Sequence, residues 1–294
     1  MMSINLLDVS LRDGGHRTNF HFTDENLARI LKPMDNSGFE YIEIGYRNGS
    51  LHPIPDIGPA GLCEKAYLDS CKALIKNAKI AVMVHPDKVG KDDLLELKDA
   101  NAALIRICIA KGEVERAFET LALCKALGFE TSANFIHMSY YSEAEMDTVV
   151  GRMCQYAPDI IYFADSNGSM LPQNIAAMYG KYTKQYAIPF GFHAHDNIGL
   201  AQANAIAAIE HGATYIDASL AGMGKGTGNL KAEFFTAYLH ALDIPKYNLD
   251  EVLTAANYVR EALGIGQEAL EMDEFVRGIS DFSTADLKIH KTSK

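Results

Sequence analysis

Two histidines that share one side of an extended segment are the first residues with clear chemical potential. His193 and His195 end the short apolar run FGF and are separated by one alanine. Residues i and i+2 of an extended chain point the same way, so both imidazoles can bind one divalent cation. A hydrogen-bonded core histidine next to a histidine at a helix N-terminus is the alternative interpretation.

A carboxylate elsewhere in the chain strengthens the metal hypothesis. Asp13 follows the first apolar run and adds an oxygen ligand to the two histidines. Such a set, with positions left open for substrate, suits Mn²⁺, Mg²⁺, Co²⁺, Fe²⁺ or Zn²⁺. The loops concerned contain no cysteine, which argues against a closed structural zinc site. We predict a divalent metal bound by Asp13, His193 and His195, with the side-chain oxygen of Asn229 as an additional ligand.

Arg12 and His16 stand on either side of Asp13 in the sequence. A guanidinium beside a metal is unfavourable unless an anion lies between the two cations, such as a carboxylate or a developing enolate. An ion pair with Asp8 or Glu43 is the alternative role of Arg12. A neutral imidazole at position 16 can take a proton from a substrate hydroxyl near pH 7, the alternative being a loop histidine without a catalytic role.

A glycine-rich loop spans residues 222–228 in the pattern G-x-G-x-G-x-G. This spacing is not that of a P-loop, and the segment does not follow the first strand as a dinucleotide fingerprint does. A nucleotide-binding function is therefore disfavoured. The loop precedes a predicted helix, so its backbone amides can bind a phosphate or a carboxylate. A flexible lid is the alternative.

The elements that must position these residues alternate between short apolar runs and longer amphipathic ones. Continuous runs such as IAVMV and DIIYFA are typical of parallel strands buried on both faces. The predicted strands are 4–9, 41–45, 80–84, 103–109, 130–136, 159–164, 190–193 and 214–218. The predicted helices that follow them are 25–36, 64–76, 92–98, 113–127, 143–156, 171–186, 199–211 and 230–242.

Eight strand–helix units in about 240 residues predict an α/β fold of the (β/α)₈ TIM-barrel type, with a doubly wound open sheet as the alternative. A barrel places its active site at the carboxyl ends of the strands, where the polar residues above are found. We assign the barrel to residues 1–245 and a helical extension to residues 246–294, with helices at 249–263 and 267–278. Two helices are too few for an independent core, so we expect them to pack on the barrel or on a second subunit.

The composition fits a globular protein and disfavours several other classes. The 294 residues are 48% hydrophobic and 22% charged, with no apolar run of about 18 residues that would cross a membrane. A net charge of −11 disfavours nucleic acid and anionic membranes as partners. Five cysteines without a C-x-x-C pair, and an N-terminus without the features of a secretion signal, indicate a cytoplasmic protein with reduced thiols.

Several motifs in the same order resemble those of the DRE-TIM metallolyases. They are LLDVSLRDGGH, ADSNGSMLP and GFHAHDNIGLAQANAIAAIEHGATYIDASLAGMGKGTGN, and the resemblance covers residues 4–238. This superfamily includes HMG-CoA lyase, the isopropylmalate and homocitrate synthases, and the 4-hydroxy-2-oxovalerate (4-hydroxy-2-oxoacid) aldolases. The lyases and synthases usually have Gln three residues after the motif aspartate, whereas this chain has His16 there, as the aldolases do. The segment FIHMSYYSEAEM is also similar to the aldolases.

The resemblance implies a cofactor and a set of ligands. The cofactor would be a divalent metal, usually Mn²⁺, with Mg²⁺, Co²⁺ or Zn²⁺ as other occupants. Its ligands would be Asp13, His193 and His195. Asn229 would be a secondary metal ligand or a loop residue.

The resemblance also implies a reaction, the class II cleavage of a 4-hydroxy-2-oxoacid into pyruvate and an aldehyde, or its reverse. Arg12 would stabilise the pyruvate enolate, and His16 would be the general base for the C4 hydroxyl. Ser166 would lie near the carboxylate or carbonyl of the small 2-oxoacid substrate. A homo-oligomer is expected.

The chain departs from the aldolases in two places. The aldolases have a longer C-terminal region that often supplies an active-site tyrosine and a docking surface for an acylating aldehyde dehydrogenase, whereas no tyrosine follows Tyr258 here. The segment GYRNGSLHPIPDIG also differs from its glycine-rich counterpart. These departures bear on the aldehyde specificity and on the dehydrogenase partner, and a standalone aldolase with a different acceptor fits them.

Three other functions stay open on the sequence alone. A lysine Schiff-base aldolase needs a lysine at a strand end, and Lys111 and Lys225 are the near candidates. An acyl-CoA-dependent Claisen lyase or synthase, for example of the citramalate type, would keep the metal and change the reaction. A non-catalytic barrel subunit would have lost its site, and the complete set of polar residues argues against that loss.

Overall fold

Eight parallel strands close into a barrel, which confirms the (β/α)₈ prediction and shows that the open-sheet alternative was wrong. The computed structural model describes residues 4–267 and 271–292. The strands within these ranges are β1 (Asn5–Asp8), β2 (Tyr41–Arg47), β3 (Lys79–Val84), β4 (Ala102–Ile109), β5 (Glu130–Phe135), β6 (Ile160–Asp165), β7 (Phe190–Ala194) and β8 (Tyr215–Ala218). Each pairs in parallel with the next, and β8 closes on β1 in a register that sets Leu7 beside Asp217.

One helix follows each strand and covers the barrel from outside. These helices are α1 (Asp24–Asn36), α2 (Lys65–Leu74), α3 (Lys91–Asp99), α4 (Val114–Ala126), α5 (Glu143–Gln155), α6 (Pro172–Gln185), α7 (Ala201–Glu210) and α8 (Ala232–Ala241). Their apolar residues recur at helical spacing, as Leu27, Ile30, Leu31 and Met34 do on α1. These residues belong to the apolar layer between helices and strands, where truncation of one side chain to alanine costs about 2–5 kcal/mol.

Charged side chains from three separated strands meet inside the barrel. Glu43 on β2 and Arg106 on β4 stand two residues after Tyr41 and Leu104, so each shares a face with its apolar predecessor. Arg106 Nη1 donates to Glu43 Oε2 at 2.9 Å, and Nη2 donates to Asp217 Oδ2 on β8 at 2.7 Å. Because β2, β4 and β8 are not neighbours in the barrel, these contacts cross its interior. They form a polar layer below the carboxyl-end rim.

Three helices form the C-terminal extension: α9 (Leu249–Leu263), α10 (Met272–Ser280) and α11 (Thr284–Thr292). α9 has the predicted bounds and packs on α1 and α8. Part of the helix predicted at 267–278 lies outside the described residues, and α10 runs to Ser280. The division of the chain after residue 245 stays a prediction. Among the described helices, none has both the length and the apolar character that crossing a membrane requires.

The sequence analysis missed α11, although the chain carries a signal for it. Ser283 and Asp286 form a reciprocal cap, because the Asp286 amide donates to Ser283 Oγ and the Ser283 amide donates to Asp286 Oδ2. A serine followed three residues later by an acidic residue is typical of a helix start. The sequence after this cap is short and polar, so the sequence analysis did not predict a helix there.

Candidate active site

Asp13, His193 and His195 converge at the carboxyl end of the barrel. His193 lies on β7, His195 follows that strand, and Asp13 follows β1. One potential ligand atom of each residue lies within 4.8 Å of the others, and His195 Nε2 is 3.9 Å from Asp13 Oδ2. All three residues are buried. Within residues 4–267 and 271–292, no other group of three His, Cys, Asp or Glu residues meets this spacing.

The surroundings keep two of these side chains in the forms that bind cations. Burial lowers the pKa of His195 to about 3, against the opposing effect of Asp13, so its imidazole is neutral at pH 7. Burial by itself would raise the pKa of Asp13, but the adjacent Arg12 guanidinium holds it well below its usual value. A neutral imidazole and an ionised carboxylate are the states that ligate a metal.

His193 is oriented by Asp217 from the neighbouring strand. Its Nδ1 lies 2.9 Å from Asp217 Oδ2. Burial raises the pKa of Asp217, but Arg106 and His193 outweigh that effect and lower it, so the carboxylate is ionised and can only accept. Nδ1 therefore carries the proton, and the lone pair on Nε2 is left for a ligand. A carboxylate that fixes the tautomer of a ligating histidine is a recurrent feature of metal sites.

Asn229 contacts the predicted metal ligand Asp13 through its amide nitrogen. Its Nδ2 donates to Asp13 Oδ2 at 2.8 Å, while its Oδ1 is buried and has no hydrogen-bond partner among the described residues. An unpartnered buried oxygen costs about 1–3 kcal/mol unless a ligand, an ion or water satisfies it. Together with the two imidazoles and the carboxylate, this oxygen makes a donor set that fits a divalent cation.

Arg12 is held by two carboxylates and keeps one nitrogen free. Its Nε donates to Glu43 Oε2 and its Nη1 donates to Asp13 Oδ1, both at 2.7 Å. The ion pair with Glu43 that the sequence offered as an alternative is thus present, whereas Asp8 makes no ion pair with Arg12. Arg12 Nη2 makes no hydrogen bond to the described residues, and Arg12 lines the cavity described below.

His16 lies in an aromatic environment near the metal ligands. Its ring packs edge-on against Phe20, with 4.9 Å between ring centroids, and also approaches Tyr46. Burial lowers the pKa of His16 to about 4, and the positive charges of Lys225 and Arg12 act in the same direction while Asp13 opposes them. The imidazole is therefore neutral at pH 7 and available as a proton acceptor.

Ser166 lies on the loop that follows β6 and lines the same cavity. Its Oγ accepts a hydrogen bond from the His137 amide at 2.9 Å. Because the oxygen is the acceptor in that contact, the hydroxyl proton is left for another partner. The structure therefore brings Ser166 into one space with Arg12 and His16.

A cavity of about 500 Å³ joins these side chains, a volume typical of small-molecule sites. Its wall also contains polar residues that the sequence analysis did not assign to the site. They are Tyr46, His85, Arg106, Asn134, His137, Asp217, Arg277 and Lys288. For Arg106 and Asp217 a signal existed, since a charged residue inside an otherwise apolar strand of a barrel must find a partner in the interior. Arg277 and Lys288 come from the extension and carried no such signal.

The glycine loop brings Lys225 to the cavity. The Lys225 amide is 3.4 Å from Asp13 Oδ2, and the side chain lines the cavity from an exposed position. Gly228 has φ +100°, and a Cβ there would lie 2.0 Å from the Gly222 carbonyl oxygen, so this tight loop requires glycine. Lys111, the other Schiff-base candidate, is instead bonded to the Tyr140 carbonyl and to Glu145.

Known proteins share both the sequence and the fold of this chain. The HMGL-like family model matches residues 3–259. The chain is 33% identical over 262 residues to a 4-hydroxy-2-oxovalerate aldolase of Geobacillus genomosp. 3, which covers 89% of this chain and 78% of that protein. It is also 33% identical over 241 residues to the enzyme of that name from Moorella thermoacetica, covering 82% of this chain and 71% of the relative.

Solved structures show the same architecture. The N-terminal domain of a proposed aldolase from Bacteroides vulgatus superimposes with a TM-score of 0.86 at 28% identity, over 99% of this chain and 97% of that domain. HMG-CoA lyase from Bacillus subtilis gives a TM-score of 0.76 at 16% identity, over 90% of this chain and 95% of the lyase, and shows the fold alone. Because the family match spans most of the barrel and the relatives above 30% identity are aldolases, the chain belongs to the HMGL-like, or DRE-TIM, family and is a carbon–carbon lyase.

Proposed function

We propose that this chain is a metal-dependent aldolase that splits a 4-hydroxy-2-oxoacid into pyruvate and an aldehyde, or catalyses the reverse addition. The observation that carries the proposal is the convergence of three metal-type ligands, a guanidinium and a neutral imidazole on one cavity. The relatives named 4-hydroxy-2-oxovalerate aldolase support the same chemistry.

Asp13, His193 and His195 would hold the cation, and the unpartnered Oδ1 of Asn229 is the proposed further ligand. We propose Mn²⁺ as the occupant, with Mg²⁺, Co²⁺ and Zn²⁺ as ions that accept the same donors. When bound, the cation supplies Lewis acidity toward the keto oxygen of a 2-oxoacid. The remaining steps are assigned to side chains of this chain.

Arg12 stabilises the negative charge that appears on the oxoacid. When the C3–C4 bond breaks, its electron pair passes into the pyruvate enolate, and the C2 oxygen becomes negatively charged. Glu43 and Asp13 fix the guanidinium in place before the reaction, so it meets that charge without reorganising. The free Nη2 is the atom available to donate to the substrate.

His16 acts as the general base for the hydroxyl group on C4. Removal of the hydroxyl proton turns the C4–O bond into the aldehyde carbonyl as the C3–C4 bond breaks. Protonation of the enolate at C3 then gives pyruvate, so protons and electrons balance without a further reactant. A positioned base of this kind contributes about 10²–10⁴-fold to the rate.

Ser166 binds the carboxylate or keto end of the substrate. Its Oγ already accepts from the His137 amide, which orients the hydroxyl and leaves its proton as a donor. A donor at this position complements an anionic substrate carboxylate. Ser166 therefore contributes to binding, and not to proton transfer.

The acyl-CoA-dependent lyase or synthase reaction is the second candidate, because HMG-CoA lyases share the fold. His16 argues for the aldolase instead, since an imidazole can accept the hydroxyl proton, whereas the Gln usual in the lyases and synthases cannot. A non-catalytic barrel would not require this complete set of residues. Homo-oligomer formation stays a prediction from the sequence, whereas the departures from the aldolases disfavour an acylating dehydrogenase partner.

A screen for pyruvate release tests the function. The purified chain with added Mn²⁺ is supplied with a panel of 4-hydroxy-2-oxoacids, and pyruvate is followed by NADH oxidation with lactate dehydrogenase. We expect release from at least one member and none from Asp13→Ala. Thiol release from acetyl-CoA with a 2-oxoacid, without pyruvate release from any hydroxy-oxoacid, would replace the aldolase by the Claisen alternative.

A further inference from the structure

The C-terminal extension forms one wall of the active-site cavity. Arg277 of α10 and Thr284, Ala285 and Lys288 of α11 line it, together with residues that follow β1 and β7. Arg12 and the metal ligands serve the oxoacid end of the substrate, and the side chains of this wall have no assigned part in that chemistry. They therefore bear on the aldehyde portion of the substrate.

Close packing and hydrogen bonds hold this wall on the barrel. Gly278 lies so near the loop after β7 that a Cβ there would be 2.6 Å from Ile198 Cγ2 and 2.9 Å from Asn197 Cβ. At the end of α10, Asp281 accepts from Ser139 Oγ at 2.8 Å and from Ser169 Oγ at 2.6 Å. The extension is thus a fixed part of the site.

The acidic groups of the wall are occupied by these anchoring contacts. Asp281 accepts a third hydrogen bond from Asn167, at 2.8 Å, and Asp286 accepts from Tyr140 Oη at 2.9 Å. Glu274 accepts from Arg277 Nη1 at 2.7 Å. Because these carboxylates already accept hydrogen bonds from the protein, they are not available to bind a cationic group of a substrate.

The basic groups that line the cavity have hydrogen-bond donors that the protein does not use. Arg277 is 5% exposed, and its Nη2 makes no hydrogen bond to the described residues. In residues 4–267 and 271–292, no carboxylate lies within 4 Å of the amino group of Lys225 or of Lys288. Arg277 Nη2 is therefore available to donate to a ligand in the cavity.

We propose that the substrate carries a second anionic group, a carboxylate or a phosphate, on its aldehyde-derived portion, and that Arg277, Lys225 and Lys288 bind it. The proposal rests on the aldolase function and names its substrate class. The first-turn amides of α11, at Thr284 and Ala285, add the positive end of a helix to the same wall. A neutral aldehyde would make no ionic contact with these three side chains.

The addition direction tests this inference with matched aldehydes. The Mn²⁺-loaded protein is given pyruvate with butanal or succinic semialdehyde, and with glyceraldehyde or glyceraldehyde 3-phosphate. The first pair isolates a carboxylate and the second a phosphate. We expect one charged aldehyde to exceed its neutral partner at least about tenfold in kcat/KM, since one well-placed ionic contact is worth about 1.4 kcal/mol or more.

Variants of Lys288 test the assignment to the wall. Lys288 is exposed, so its replacement leaves the core intact. Lys288→Gln is expected to lower the charged-to-neutral ratio of kcat/KM about tenfold and Lys288→Glu to lower it further. Lys184→Gln, an equal loss of charge on exposed α6 surface, is the control and leaves the ratio unchanged.

Exchange of the pyruvate methyl protons with D₂O separates this inference from the proposed function. Exchange without an aldehyde reports enolate formation at the metal end of the cavity alone. Absence of exchange would contradict the aldolase function itself. If exchange is observed, three results would overturn the anionic substrate class. They are a preference for the neutral aldehydes, the use of no acceptor at all, and a charged-to-neutral ratio that neither Lys288 variant changes.

Discussion

Asp217 Oδ2 lies 2.9 Å from Nδ1 of His193, and the same oxygen accepts from Arg106 at 2.7 Å. The interior of the barrel thereby fixes the orientation of a metal-type ligand at its rim. A change at Asp217 reaches the site through His193 and leaves the other two candidate ligands in place. This relationship makes the metal site testable without removing a ligand.

Asp217→Asn is expected to lower metal affinity about 10–100-fold, because the amide no longer holds the Nδ1 proton as a carboxylate does. It also leaves Arg106 with Glu43 as its remaining carboxylate partner, so the apo protein loses stability as well. Calorimetric titration of the apo protein with Mn²⁺ measures the first effect, and thermal unfolding measures the second. Unchanged affinity in a folded variant would show that His193 does not depend on Asp217 as a ligand.

Variants of His16 and Arg12 are expected to separate two steps of the reaction. His16→Ala should lower aldol cleavage about 10²–10⁴-fold while exchange of the pyruvate methyl protons continues, since exchange does not involve the C4 hydroxyl. Arg12→Lys should lower both activities, because a lysine cannot reproduce the fixed guanidinium between Glu43 and Asp13.

Proton NMR in D₂O measures exchange, and the coupled assay measures cleavage. Equal losses of both activities in His16→Ala would contradict its role as the base for the hydroxyl. Full exchange in Arg12→Lys would contradict the enolate role of Arg12. Glu25→Gln, at an exposed position on α1, is the control for both variants.

Lys225 lines the cavity, so the Schiff-base mechanism predicted as an alternative calls for a direct comparison. Partial desolvation of the amino group by the cavity wall lowers the pKa of Lys225, which favours nucleophilic reactivity, although Asp13 acts in the opposite direction. We expect EDTA to abolish activity, Mn²⁺ to restore it, and borohydride with pyruvate to leave the mass of the chain unchanged. A borohydride-dependent mass increase that Lys225→Arg removes would establish the imine mechanism instead.

The sequence predicted the barrel because eight apolar runs alternate with helices at regular intervals, and it predicted the candidate ligands because strand ends share one rim. His193 and His195 needed only the two-residue repeat of an extended chain. Arg277 and Lys288 could not be found in this way. They reach the cavity through the docking of α10 and α11, which depends on contacts such as Gly278 against Asn197 that join distant parts of the chain.

The polar interior was only partly foreseeable for a related reason. Glu43 was offered as an ion-pair partner of Arg12, and that contact exists at 2.7 Å. Its second contact, with Arg106, depends on barrel closure, because β2 and β4 do not touch each other. Pairing across a barrel follows from strand tilt and register, which the pattern of apolar residues does not specify.

Asp8 provides a prediction for the pH dependence of stability. Burial raises the pKa of Asp8 to about 7, against the hydrogen bonds from Ser10 that lower it. Its Oδ2 is buried without a partner among the described residues, so ionisation in the native state is costly. Between the ordinary carboxyl value near 4 and pH 7, the native state holds a proton that the unfolded chain has released. Asp8 therefore contributes stability below about pH 4 that is lost as the pH rises to about 7.

Asp8→Asn removes this pH-dependent loss of stability, because the asparagine side chain is neutral at every pH and has nearly the same shape as aspartate. We expect the free energy of unfolding of the variant, relative to that of the wild type, to rise by a few kcal/mol between pH 5 and pH 8. The upper limit is about 1.4 kcal/mol per unit of pKa difference between the native and unfolded states. Urea unfolding of both apo proteins at the two pH values measures the difference, and Asp243→Asn at an exposed position serves as the control. Parallel pH dependences of Asp8→Asn and wild type would mean that Asp8 is ionised in the native barrel, with its charge met by groups other than Ser10.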